Sequence, residues 1–246
     1  MQLTNLRNTS PYLAIAVTGT SPYERLISRT TAGGHLFENE LAAVTQRSIA
    51  ANTLLSTSLP AASTLTPAAP AANSLANQLN VVARLISARG SLGTNRQVFF
   101  VSLGGFDLHD FLIDEHVKRH TTVNEAISLF TGWLAQLGVQ NNVTLFTASD
   151  FGRTLTSNGD GSDHGWGSHH FVTGGAVQGG TIYGDFPATT FGTSQDVGAG
   201  NLLPTTSVDQ YAATLARWLG VSESDMPLVL PNIGNYSTRY LNFLTA

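Results

Sequence analysis

Two short runs constrain this chain most: Gln97-Val-Phe-Phe-Val-Ser-Leu103 and Val143-Thr-Leu-Phe-Thr-Ala148. Each is apolar and β-rich, the pattern of a strand buried on both faces. Between them Val123, Ala126, Ile127, Phe130, Leu134 and Leu137 recur at helical spacing, and Gly138 supplies the stop. Strand, helix, strand is a βαβ unit, whose crossover makes the strands parallel and brings their carboxyl ends to one sheet edge. The expected fold class is therefore α/β, a mostly parallel sheet flanked by helices.

Both runs end in polar clusters. The first is followed by Gly104-Gly-Phe-Asp107-Leu-His109, the second by Ser149-Asp150-Phe-Gly-Arg153-Thr154. Open α/β sheets bind ligands just beyond the carboxyl ends of their strands, so Asp107 and Asp150 are expected at a site. A third segment, Gly159-Asp-Gly-Ser-Asp163-His164-Gly-Trp-Gly-Ser-His169-His170, sets histidines among glycines that let the backbone close around a small object. The chain has no cysteine, so any metal must be held by His and carboxylates. Asp107, His109, Asp150, His164 and His169 are the candidate ligands. Zinc is the first choice, with manganese, calcium and magnesium as alternatives.

Plain structural readings stand beside these. Asp150 has the position of a helix N-cap. Arg153 suits either a structural ion pair or an anionic substrate group beside the metal, the latter preferred as its catalytic role. His35, His116 and His120 read as solvated, and Asp110, Asp114 and Glu115 as a charged helix face.

Elsewhere the signals are local. Tyr12 to Val17 suggests a strand and Phe37 to Ala50 an amphipathic segment. Ala51 to Ala72 is an Ala/Ser/Thr/Pro-rich stretch that reads as an extended connection. Leu75, Leu79, Val82, Leu85 and Ile86 mark a helix capped by Asn73 and stopped by Gly90. Residues 155–170 read as a long loop, and residues 174–184 as short strands and turns. Ser207 and Gln210 form a capping box heading a last helix, which Gly220 ends. Residues 1–72 are thus an N-terminal segment and connection, and residues 73–246 the α/β core of a single domain.

Charge narrows the partners. Only 11% of residues are charged, and a formal net charge of −4 with 12 scattered Lys and Arg offers no basic stripe for nucleic acid. No run approaches the ~18 apolar residues of a membrane span, and no signal-peptide pattern follows Met1.

The ordered motifs Gly104-Gly-Phe-Asp-Leu-His109, Ser149-Asp-Phe-Gly-Arg-Thr154, Asp163-His-Gly-Trp-Gly with His169, and Gly174-Gly-Ala-Val-Gln-Gly-Gly180 resemble the domain-of-unknown-function family 1501. The resemblance runs through roughly residues 75 to 246 and includes the last helix. That family is grouped with the alkaline phosphatase and sulfatase superfamily, whose sheet edge carries two metal sites. By this resemblance Asp107, His109 and His164 belong to the first metal site and Asp150 to the second. The superfamily places a histidine directly after that second acid, where this chain has Phe151. Its N-terminal acid and Ser or Thr nucleophile find no counterpart here, so the resemblance implies an N-terminally truncated, incomplete domain. It also implies an exported, periplasmic or secreted protein.

The expected function is a metal-dependent hydrolase of phosphate or sulfate esters, acting on a small anionic ester or polymer and inactive if the fragment is incomplete. The alternatives are a non-catalytic secreted binding module stabilised by its metal, and an α/β fold whose glycines and histidines merely shape loops.

Overall fold

The computed structural model describes residues 4–5 and 34–244. The predicted strand from Tyr12 to Val17 lies outside them. The chain divides into two compact units, Met1–Leu103 and Gly104–Ala246.

In the first unit, β1 (Thr4–Asn5) pairs in parallel with β2 (Phe99–Phe100). Helix α1 spans Leu36–Ser58 and runs through the first part of the stretch expected to be extended. Several of its hydroxyls are satisfied within the helix, each bonding back one turn. Thr45 donates to Leu41 O, Ser48 to Val44 O, Thr53 to Ile49 O and Thr57 to Thr53 O. Helix α2 spans Ser74–Ser87 and starts as its sequence dictates, with the Asn73 side chain accepting from Ala76 N at 2.9 Å. Leu75, Leu79, Val82, Leu85 and Ile86 are all buried. Gln78 clasps Ser102 through both backbone groups, fixing the chain just after β2.

In the second unit, helix α3 spans Leu112–Gln136, a full three turns before its apolar periodicity begins. The early turns are set by local chemistry. Asp114 and Glu115 lie in the first turn, where the helix dipole favours them, and Leu112 N donates to Asp160 O at 3.0 Å. Ala126, Phe130, Trp133 and Leu134 form the buried face, and Gly138, at φ +66°, takes the left-handed turn that ends the helix.

Strand β3 (Thr144–Phe146) pairs antiparallel with β6 (Val172–Gly174). Strand β4 (Gly152–Ser157) pairs antiparallel with β5 (Ser162–Gly165), with a register irregularity between Arg153 and Ser157. Thus the 155–170 loop is largely a hairpin. The two predicted strands each find a partner other than the one a βαβ unit supposes. The chain mixes helix and short sheets, and among the described residues the pairings are three two-stranded ribbons, two of them antiparallel. The ladders are only a few residues long.

Helix α4 (Val208–Leu219) carries the expected capping box, Ser207 with Gln210, and ends at Gly220 with φ +101°. Together with α5 (Met226–Val229) it builds a core of Ala213, Met226 and Ile233, against which Ala216, Val221, Leu230, Tyr236 and Tyr240 pack. No helix among the described residues is long and apolar enough to cross a membrane.

Candidate metal centre

The hairpin turn explains how the site is assembled. Asn158-Gly-Asp-Gly161 reverses the chain between β4 and β5: Asn158 N donates to Gly161 O, and the Asn158 side chain accepts from Gly161 N, both at 3.1 Å. Gly161 lies directly against the backbone of His109. A Cβ there would sit 2.3 Å from His109 O, a separation no side chain tolerates. The absence of a side chain therefore lets the 106–109 segment lie on the hairpin.

Arg153 adds the second tie. It lies opposite His164 in the β4–β5 register, and its fork donates to two carbonyls, Nη1 to Ser162 O and Nη2 to Phe106 O, each at 2.5 Å. One guanidinium thereby bridges the residue before Asp107 and the residue before Asp163. It also lies over the Phe151 ring, 5.1 Å from the centroid, while that ring stacks on His164 at 3.9 Å and 7°. Two of the five N–H groups of Arg153 are thus engaged in holding the segments that bear the candidate ligands.

Three of those ligands converge. Asp107 Oδ1 lies 2.7 Å from His164 Nε2 and 3.1 Å from His109 Nε2, and one ligand atom from each residue falls within 4.8 Å of the others. The two imidazoles face each other, with centroids 5.2 Å apart. The hydrogen bond from His164, aided by the charges on His164 and His109, holds the Asp107 carboxyl below the usual carboxylate range. Two imidazoles and a carboxylate on one open, exposed point form a donor set that could hold a divalent metal ion with positions left for water or substrate.

Sequence reasoning passed over Asp163 as a participant. Its Oδ1 lies 3.5 Å from His109 Nδ1, on the ring nitrogen that does not face Asp107. With a metal ion in place of the Asp107 contact, a carboxylate on that side would accept from Nδ1–H and leave Nε2 to ligate. The signal was its place beside His164 in a glycine-rich run.

The remaining candidates are not among the converging groups. Asp150 is exposed in the turn between β3 and β4. His169 stacks on Phe186 at 4.8 Å, and its neighbour His170 stacks on Tyr211 at 5.8 Å. Burial, with the charge of His169, lowers the pKa of His170.

The family model described as "Protein of unknown function (DUF1501)" matches residues 27–226. The chain belongs to that family. The matched span of this DUF1501 protein includes the triad, Asp163, the hairpin and Arg153. No curated protein and no solved structure matches the chain.

Proposed function

We propose that this DUF1501 protein is a divalent-metal-dependent hydrolase of phosphate or sulfate esters, working through Asp107, His109 and His164. The observation that carries the reading is the convergence of both imidazole Nε2 atoms on one Asp107 oxygen at an exposed position. A bound divalent ion supplies Lewis-acid polarisation of an ester oxygen and acidifies water. The chain's own contribution is to orient. Asp163 sets the His109 tautomer, Phe151 packs flat on His164, and Arg153 clamps the two ligand-bearing segments.

Zinc is the first candidate ion, and the same donor set suits manganese or ferrous iron. The resemblance within the alkaline phosphatase and sulfatase superfamily supports the ester class, and it carries with it an exported, periplasmic or secreted setting. The test is release of 4-nitrophenol from its phosphate and sulfate esters. We expect turnover that chelation abolishes and zinc or manganese restores.

A specific observation favours a second reading, a metal-stapled binding module. Arg153 is tied to backbone carbonyls, and Phe151 covers a face of His164. In that case metal raises the melting temperature by mass action on the folded state, and no ester is turned over under any metal.

A further inference from the structure

Outside the triad, two potential metal-ligating side chains on α3 lie close together. His116 and His120 stand four residues apart on α3, so they share one face of the helix. Their rings are 4.4 Å apart between centroids and nearly perpendicular, at 82°. Both also meet Phe106 edge-on, His116 at 6.0 Å and His120 at 5.7 Å.

We propose that His116 and His120 form a second, bis-imidazole site for a borderline divalent cation such as zinc, nickel or copper, separate from the triad. Side chains four residues apart on a helix can turn their rings toward a common ion, each giving it one nitrogen at the usual zinc–nitrogen distance of about 2.0–2.1 Å. The face is reachable. His120 is exposed and His116 half-buried, along an open groove of about 650 Å³ lined by Leu112, Ile113, Val117, Thr121 and Asn124. Helical spacing holds the two donors ready before any ion arrives, which removes much of the ordering cost of chelation.

Local charge bears on the site in both directions. Lys118 and Arg119 flank the pair, but Glu115 takes up both, at 2.6 Å and 3.5 Å. Burial, then the charges of His120 and Arg153, lowers the pKa of His116, which favours the neutral, ligating imidazole near pH 7. Arg153 opposes a cation here, so this site is expected to be the weaker of the two. The inference rests on the helix geometry and not on the hydrolase reading.

The experiment is a zinc titration of the full-length chain in the His164→Ala background, followed by nitrogen NMR of the imidazoles. We expect the His116 and His120 ring nitrogens to shift together and saturably. With His120→Gln added, the His116 response should be lost while the circular dichroism spectrum is kept. The proposal is overturned if the two rings do not respond to zinc in the His164→Ala protein, or if His116 responds equally without His120. It is also overturned if His120→Gln unfolds the helix and zinc leaves amide exchange across residues 113–120 unchanged in the parent. The pair is then an aromatic support for Phe106 and nothing more.

Discussion

Asp107 is exposed and Asp196 half-buried, yet both lie in glycine-rich surroundings and both have carboxyl groups held below their usual range. The causes differ. Asp196 is held by backbone N–H groups, first Gly192 and then Gly198, with Gly200 and Asn201 adding to them. Its Oδ2 accepts from Gly192, and its Oδ1 from Gly198 and Gly200, at 2.9–3.0 Å. Those donors cannot leave without opening the loop, so the carboxylate is a structural knot. Asp107 is held by two imidazoles, which can release it and turn their nitrogens to a cation. A depressed carboxyl pKa therefore does not mark a site; the chemistry of the partner does.

The comparison can be broken by removing partners on each side. The largest effect is expected for His109→Ala, which should weaken zinc binding by at least about a hundredfold, since loss of even an outer-shell partner costs about 10–100-fold. Competition against a zinc-chelating dye measures it. Arg153→Lys keeps the charge but loses the two-carbonyl fork, and should fall within that range of about 10–100-fold in the same assay. Affinity equal to the parent would show that the clamp does not position the triad.

Gly161→Ala forces a Cβ into the His109 carbonyl and should destabilise the second unit by about 1–3 kcal/mol, read as a lower denaturant midpoint. The smallest effect is expected for Asp196→Asn. Zinc affinity should not change, while the amides of Gly192, Gly198 and Gly200 should lose protection from exchange. The sign of the pH dependence follows from the lowered carboxyl. Protection of those amides in the parent is complete above the ordinary Asp value of about 3.9 and decays as pH falls through the lower folded value. The Asn variant should show no such step.

Local signals in the sequence translated well into structure. Asn73 caps α2, Ser207 and Gln210 form their capping box, and Gly138 and Gly220 end their helices, because each device is closed within a few residues. Strand pairing is non-local, and the parallel pairing expected between the two runs is not among the pairings of the described residues. The apolar runs around Phe99 and Leu145 are strands, yet what a strand pairs with is decided by segments far away in sequence.

The β4–β5 hairpin was legible in principle, since Asn158-Gly and Asp160-Gly sit between its strands; the surrounding glycines and histidines made the region look like a loop. Of the site, Asp107, His109 and His164 were found from residue type and motif. The tie from Arg153 to two carbonyls was not, because one of them lies 47 residues away and no residue-type pattern encodes a carbonyl.

The central claim is that Asp107, His109 and His164 together hold one metal ion. The most direct measurement is the metal content of the purified chain after exhaustive dialysis, by mass spectrometry, in the parent, His164→Ala and Asp196→Asn proteins. The account predicts about one divalent ion per chain in the parent and in Asp196→Asn, and none in His164→Ala. An ion retained undiminished by His164→Ala, or lost equally from Asp196→Asn, would contradict it.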